Sequence, residues 1–269
     1  MTAAEHPVAD TTAGKVRGVV DARSGMRTWR GVPFGASTAH TGRFRAPQPA
    51  QRWQGLYDAS RFAPPAMQGT FGWRDAVIGT EDCLTLDIVR PDTDEELPVV
   101  VYFHGGTFVT GASNEKVLQG HLLADATQVV YVSVNFRLGV LGYLDFRSLG
   151  HDCVATPALL DQILALEWVR ANIANFGGDP NRVTIMGESA GGAAVVHLMC
   201  SPSARGLFHG AVAQSPPPAS VHSRLQAAMW VRELVTRMGL PRTTTLADLR
   251  ETRAEELVRA GQSMLLNTK

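Results

Sequence analysis

The feature that most constrains the fold of this chain is the pentapeptide Gly187-Glu188-Ser189-Ala190-Gly191, which directly follows an apolar run at residues 183–186. A strand that leads into G-x-S-x-G and then into a helix is the context of a nucleophile elbow. The serine occupies a strained turn, and a glycine two positions to each side lets strand and helix approach without a Cβ clash. We therefore predict that Ser189 lies at the carboxyl edge of a sheet, where the following helix favours developing negative charge.

Two other interpretations of this pentapeptide are weaker. An ordinary serine in a glycine-rich turn is one of them, because G-x-S-x-G often arises by chance. The apolar run before the motif and Gly192-Ala193-Ala194 after it favour the elbow. A phosphate-binding loop is the other, but G-x-x-x-x-G-K-[ST] is absent and the glycine spacing does not match G-x-G-x-x-G.

The rest of the chain predicts an α/β fold in one domain, residues 1–269. Apolar runs that indicate strands of a parallel sheet, covered on both faces, lie at residues 84–89, 98–103, 129–134, 183–186 and 210–213. Apolar residues at helical spacing predict helices over 159–173, 223–238 and 246–260. We divide the domain into irregular strands and loops (1–80), a core sheet with the elbow (81–215) and a helical tail (216–269).

A second glycine motif, His104-Gly105-Gly106-Thr107-Phe108, follows another predicted strand. Glycines at a strand end allow backbone N–H groups to turn towards a shared point, so this loop and the amide of Ala190 predict an oxyanion hole. A simple strand-ending turn is the alternative. His104 is interpreted as an orienting or packing residue, because its loop is committed to the oxyanion side.

Charge and cysteine content exclude several classes of function. The chain has 25 Lys+Arg and 25 Asp+Glu, so its balanced charge predicts no nucleic-acid or anionic membrane partner. The three cysteines, Cys83, Cys153 and Cys200, are far apart and form neither a disulfide framework nor a zinc motif. With no apolar leader and no long apolar run, we expect a cytoplasmic protein that needs no metal or cofactor.

The two glycine motifs belong to a larger pattern that resembles the type B carboxylesterases (para-nitrobenzyl esterase and cholinesterase relatives). Residues 176–191, FGGDPNRVTIMGESAG, match the family's active-site signature, and residues 81–88, EDCLTLDI, match its second signature. The resemblance covers nearly the whole chain. It implies an α/β-hydrolase fold, with a largely parallel central sheet, helices on both faces and the C-terminal strands missing, and an ester hydrolase that acts through an acyl-enzyme.

Residue by residue, the resemblance implies Ser189 as nucleophile, with Gly106, Thr107 and Ala190 as oxyanion donors. It also implies two polar neighbours of the site, Glu188 and Ser215, and two structural ion pairs, Arg43–Glu81 and Arg137–Asp161. Solvated surface charges are the alternative for those pairs.

Three positions depart from the family's pattern. Thr107 replaces the usual glycine, and a β-branched residue disfavours positive φ, which predicts a reshaped oxyanion hole. Residues 216–218 are prolines after Ser215, where the family has glycine. Cys83 corresponds to a cysteine that forms a disulfide in secreted members, and with no upstream partner we expect a buried free thiol.

A serine nucleophile needs a base, and in α/β-hydrolases the acid and histidine follow the serine. After Ser189 the sequence contains His197, His209 and His222, and none fits the family position. Three explanations stay open: a truncated gene product, one part of a split enzyme with a complementing C-terminal chain, or a non-catalytic binding module. For an enzyme, we expect a small-molecule ester with an uncharged acyl group, because Phe108, Met67 and Phe71 offer no cationic anchor.

Overall fold

The computed structural model describes residues 6–70, 76–217 and 221–266. Its strands are β1 (Val8–Asp10), β2 (Lys15–Arg17), β3 (Val19–Val20), β4 (Arg27–Pro33), β5 (Leu56–Asp58), β6 (Gln68–Gly69), β7 (Val77–Ile78), β8 (Thr85–Arg90), β9 (Leu97–Phe103), β10 (Val130–Val134), β11 (Gly178–Glu188) and β12 (Gly210–Gln214). Its helices are α1 (His121–Thr127), α2 (Gly139–Gly142), α3 (Pro157–Asn172), α4 (Ala190–Cys200), α5 (Arg224–Arg237), α6 (Leu246–Glu251) and α7 (Ala254–Leu266). No helix in these ranges has both the length and the apolar character of a membrane span.

Seven strands form the central sheet in the order β12-β11-β9-β10-β8-β4-β3. The first four are parallel to one another, whereas β8, β4 and β3 each pair antiparallel with the preceding strand in that order. The prediction of a parallel strand at residues 84–89 is therefore wrong in direction, since β8 runs antiparallel to β10. The run is apolar because it is buried on both faces, and burial does not depend on strand direction.

The N-terminal segment contributes more to the sheet than the sequence indicates. β3 and β4 come from residues 1–80 and extend the sheet beyond β8. The prediction that the core sheet lies within residues 81–215 is therefore wrong at its N-terminal boundary. The pairing of β4 with β8 shifts register between Trp29 and Val32, and Gly31 between them has φ +66°. Such a bulge interrupts the alternation of buried and exposed residues by which a strand is recognised.

Helices cover both faces of the sheet, as predicted. Successive strand residues point to opposite faces. Phe103 of β9 belongs to a core that includes Trp168 of α3 and Val195 of α4. Its neighbour Tyr102 packs on the other face, in a cluster that includes Ala124 of α1. The sheet is thus enclosed between two apolar layers, and its parallel strands end together at one edge.

The helical tail differs from its prediction in one detail. The pattern over residues 246–260 predicts a single helix, but the structure has α6 and α7, because Thr252 between them is extended (φ −66°, ψ 145°). Thr245 and Asp248 form a capping box at the start of α6. At its end, Arg43 Nη1 donates hydrogen bonds to the carbonyls of Leu249, Arg250 and Thr252, at 3.0, 3.0 and 2.7 Å. A cation from a distant segment therefore ends the helix.

The outer edge of β12 is bare within the described residues. No described strand pairs with that edge, and the strand is largely exposed, with Val212 at 41%. The tail helices pack instead around Phe44, Leu141 and Phe146. In the described structure this edge is therefore unpaired, and the tail helices do not cover it.

One buried carboxyl in the sheet makes stability depend on pH. Asp87 of β8 is 4% exposed and accepts hydrogen bonds from the Gly31 amide (2.7 Å) and the Ser113 hydroxyl (2.5 Å). Burial raises the pKa of this carboxyl from 3.8 to about 6, against the smaller opposite effect of the two hydrogen bonds. The folded pKa lies above the unfolded one, so the stability that the protonated group contributes is present below about pH 4 and lost as pH rises through 6.

We expect Asp87→Asn to abolish the loss of stability that occurs as pH rises from 4 through 6. Its amide can still accept from the Gly31 N–H and can donate to the Ser113 oxygen. At about 1.4 kcal/mol per pH unit, the free energy of unfolding of the variant minus that of the parent should rise by about 3 kcal/mol between pH 4 and pH 7. Urea unfolding of both proteins across this range measures the difference, and a difference that does not change with pH would contradict the assignment.

Candidate active site

Ser189 lies in a sharp turn between β11 and α4. Its backbone has φ 55° and ψ −119°, a strained conformation for a residue with a side chain. A Cβ on Gly187 would lie 2.4 Å from the Gly191 carbonyl carbon, and a Cβ on Gly191 would lie 2.0 Å from the Phe103 oxygen. Both glycines are therefore sterically required. The Ser189 amide donates to the Gln214 carbonyl at 2.9 Å, which anchors the turn to the end of β12.

The loop at residues 104–108 lies beside this turn. It follows β9, which is parallel to β11 and ends at the same edge of the sheet. A Cβ on Gly105 would lie 3.5 Å from Ser189 Cβ, so the loop and the serine are in direct contact. Within the described residues, no acceptor receives a hydrogen bond from the amides of Gly106, Thr107 or Ala190. Of these three residues Ala190 is buried, Gly106 is half-buried and Thr107 is exposed, so the unpaired donors lie at the edge of the sheet where β9 and β11 end.

Thr107 adopts the conformation that its side chain disfavours. Its φ is 53°, and the flanking residues Gly106 (φ 111°) and Phe108 (φ 64°) are also on the positive side. The Thr107 hydroxyl donates to the Gly106 carbonyl at 2.8 Å, which offsets part of the strain. The backbone at Thr107 therefore keeps a left-handed conformation, although threonine stands where the family usually has glycine.

The two predicted polar neighbours lie at the same edge of the sheet and are both exposed. Glu188 precedes the serine, and a Cβ on Gly105 would lie 3.0 Å from its carboxylate Oε2. Ser215 follows β12 with φ 46°. Pro216 and Pro217 follow it in the chain, whereas Pro218 and Phe71 lie outside the described residues.

Four histidines bear on catalysis, and each has different surroundings. His209 Nδ1 receives the Val183 amide hydrogen bond at 3.3 Å, towards the other end of β11. His197 lies on α4, and burial lowers its pKa. His222 packs edge-on against Trp230, with ring centroids 4.5 Å apart. Burial also lowers the pKa of His104 to about 4, so its imidazole is neutral at neutral pH. No hydrogen bond joins Ser189 Oγ to His104, His209 or His222 in the described structure.

The two predicted ion pairs are buried and short. Arg137 and Asp161 approach to 2.6 Å with 3% and 0% of their side chains exposed, and Asp161 also accepts from the Arg137 amide. This pair joins the loop after β10 to α3. Arg43 and Glu81 also lie 2.6 Å apart, and the same arginine binds the end of α6. Cys83, beside these groups, is a buried free thiol as predicted, and burial raises its pKa.

A cavity of about 520 Å³ adjoins the loop with the free amides. Its lining is mostly apolar and includes Met67, Thr107, Phe108, Leu138, Val140 and Trp230. Arg237, which the sequence did not place near the site, also lines this cavity. Its Nε lies 2.6 Å from Glu233 Oε1 and its Nη1 donates to the Ser263 carbonyl. The charge is thus paired within the wall of the cavity.

Two residues that pack behind the loop at residues 104–108, Gln68 and Gly111, were not identified from the sequence. The side chain of Gln68, 6% exposed, donates to the Gly111 carbonyl and accepts from the Gly111 amide, both at 2.9 Å. Gly111 in turn closes over His104, since a Cβ there would lie 2.3 Å from His104 Nδ1. No local pattern relates two residues 43 positions apart, so this contact could only be found in the folded chain.

Comparison with known proteins assigns the chain to a family. Residues 5–269 match the carboxylesterase family, and the chain belongs to it. The para-nitrobenzyl esterase of Bacillus subtilis (strain 168) is 34% identical, over 98% of this chain and 54% of that protein. The phenmedipham hydrolase of Pseudarthrobacter oxydans is 39% identical, over 79% of this chain and 43% of that protein.

A solved PNB esterase matches the fold with a TM-score of 0.89 at 34% identity, over 98% of this chain and 55% of the other. The fold is therefore that of the α/β-hydrolases, as predicted. The chain spans about half the length of the relatives that it matches.

Proposed function

We propose that this chain carries the nucleophile and the oxyanion hole of a serine carboxylic ester hydrolase. The observation that supports the proposal most strongly is the cluster of three free amides, those of Gly106, Thr107 and Ala190, beside the strained turn at Ser189. Membership of the carboxylesterase family supports the same chemistry. The three amides would donate to the oxygen that becomes negatively charged in the tetrahedral intermediate.

The proposed reaction has two halves. Ser189 Oγ attacks the ester carbonyl, its proton passes to a base, and the alcohol leaves with a proton to form the acyl-enzyme. Water then attacks the acyl group, and the carboxylic acid is released as Ser189 regains its proton. Both halves develop negative charge on the same carbonyl oxygen, so one set of three amides serves both.

The substrate that we propose is a small ester without charge on its acyl group. The cavity beside Phe108 is mostly apolar, and its one ion pair, Arg237–Glu233, is internally neutralised. An anionic acyl group would have to compete with Glu233 for the guanidinium, at the cost of its own hydration. Apolar acyl or alcohol groups would instead gain from burial in the cavity.

We further propose that the base and its carboxylate partner lie outside these 269 residues. Support comes from His104, His209 and His222, none of which has a hydrogen bond to Ser189 in the described structure, and from the relatives, which are about twice as long. Of the three explanations, a truncated product or a split enzyme agrees with an intact Gly-x-Ser-x-Gly turn. A non-catalytic binding module of the same fold is the alternative. Such a module would need neither the serine nor the free amides, so their presence does not favour it.

Free thiols at Cys83, Cys153 and Cys200 support a reducing, cytoplasmic location.

The bare edge of β12 is where we propose that a complementing segment binds. Residues 210–214 carry no charge or proline that would prevent another strand from pairing there. The edge is continuous with the Ser189 turn through the bond from the Ser189 amide to Gln214. A strand added beside β12 would end at the same edge as the serine and would bring a following loop to it.

Complementation tests this function directly. The chain alone should hydrolyse a para-nitrophenyl ester slowly and react weakly with a fluorophosphonate probe, because the hole and binding alone leave only about 10³–10⁴-fold catalysis over water. The polypeptide encoded immediately downstream, added in trans, should raise both signals. Val212→Lys should weaken complementation without changing the labelling of the chain alone. Full activity of the chain alone would contradict the missing base, and no labelling in either state would favour the binding module.

A further inference from the structure

The two peptide units that present the Gly106 and Thr107 amides are each held by their carbonyl oxygen. In a planar trans peptide, the C=O and the N–H point in opposite directions. Fixing the carbonyl of one residue therefore aims the amide of the next. The Gly106 carbonyl, which aims the Thr107 amide, accepts from the Val109 and Thr110 amides, both at 3.0 Å, and from two threonine hydroxyls. This peptide is held by the turn itself.

The Gly105 carbonyl, which aims the Gly106 amide, is held by a side chain. His104 Nδ1 lies 2.8 Å from this oxygen. A carbonyl oxygen can only accept, so Nδ1 carries the proton and Nε2 carries the lone pair. In the described structure Nε2 has no hydrogen-bond partner although the residue is only 2% exposed. The ring therefore makes one directed polar contact, and that contact is to the peptide with the Gly106 amide.

The surroundings keep the imidazole in this orientation. The ring stacks on Phe136 with centroids 4.5 Å apart and planes 11° apart. Gly111 lies over the contact, since a Cβ there would be 2.3 Å from Nδ1 and 2.6 Å from the Gly105 oxygen. Gln68 holds Gly111 by two hydrogen bonds of 2.9 Å. Burial favours the neutral ring, which keeps a single proton to place.

We propose that His104 is a positioning residue, which through Nδ1–H and the Gly105 carbonyl aims the Gly106 amide at the developing oxyanion. The inference rests on the proposed function, because the oxyanion forms only if Ser189 attacks an ester. His104 itself does not touch the substrate. Its contribution is to keep one donor aligned through the reaction, and loss of one such donor costs about 10²–10³-fold in rate.

Three substitutions separate the hydrogen bond from the ring. His104→Phe keeps the stacking on Phe136 and loses the donor. His104→Asn places an amide N–H near the position of Nδ1, and His104→Gln places it near Nε2. We expect the Phe and Gln variants to lose about 10²-fold in kcat of the complemented enzyme with little change in KM, and the Asn variant to recover most of that loss. Thr127→Val is the control, because it removes a comparable hydroxyl hydrogen bond at the exposed end of α1, and it should stay within about three-fold of the parent.

Long-range ¹H–¹⁵N NMR of the His104 ring at pH 7 tests the geometry without any activity. The proposal predicts the Nδ1–H tautomer in the chain alone, whether or not Ser189 reacts. An Nε2–H tautomer, or a Phe variant as active as the parent, would overturn the positioning role. The Nδ1–H tautomer in a chain whose Ser189 never reacts would instead place the failure in the proposed function.

Discussion

Asp161→Asn should cost about 3–5 kcal/mol in the free energy of unfolding, because it leaves a buried guanidinium without its counter-charge. Asp161 is fully buried and accepts three hydrogen bonds from Arg137, two from the guanidinium at 2.8 and 2.6 Å and one from the backbone amide at 3.1 Å. An asparagine has one oxygen and no charge to offer in place of the carboxylate. Urea unfolding at pH 7 measures the loss.

An exposed pair provides the control for this prediction. Arg17 and Asp58 lie 3.3 Å apart with 42% and 54% of their side chains exposed. Asp58→Asn should cost less than about 1 kcal/mol. Adding Arg137→Met to Asp161→Asn should recover part of the loss, since no unpaired buried charge then remains. Equal costs at Asp161 and Asp58 would show that the buried pair is not structural.

Ser189→Ala should remove fluorophosphonate labelling and reduce the ester hydrolysis of the complemented enzyme by a factor on the order of 10⁴–10⁶. The variant loses only the attacking oxygen, so the turn and the three free amides should remain. Since alanine tolerates φ 55° no better than serine, the unfolding midpoint should change little. Ser203→Ala, an exposed position beyond the far end of α4, is the matched control and should label like the parent. Labelling that persists in Ser189→Ala would assign the reactivity to another residue.

The parts of the structure that could be predicted from the sequence are those encoded locally. The turn at Ser189 follows from five consecutive residues and the strand before them, and α3 follows from apolar residues at helical spacing. The apolar run at β8 predicted the wrong strand direction. Such a run indicates burial but does not indicate the neighbour with which the strand pairs. Strands were expected among residues 1–80, but the pairing of β4 with β8, which adds it to the central sheet, could not be predicted from a local pattern.

What sequence reasoning missed depends on contacts between distant segments. The break between α6 and α7 is bound by Arg43, about 200 residues away along the chain. The arrangement that holds the free amides depends on contacts among Gln68, Gly111 and His104. These contacts form only when β6 and the loop after β9 pack together. Residue type alone indicated that the loop could bind an anion, whereas the aim of each amide is a property of the packed structure.

The most direct test of the central claim, that Ser189 forms an acyl-enzyme, is peptide mass spectrometry of the chain quenched in acid after incubation with para-nitrophenyl acetate. Transfer of the acetyl group to Oγ releases para-nitrophenol and replaces the hydroxyl proton. Without a base, both the acetylation of Ser189 and the hydrolysis of the acetyl-enzyme by water are slow. The acetylated serine, once formed, should therefore accumulate and persist. We predict one acetyl group per chain, on the peptide that contains Ser189 and absent in Ser189→Ala. An unmodified Ser189, or an equal adduct in the alanine variant, would contradict the claim.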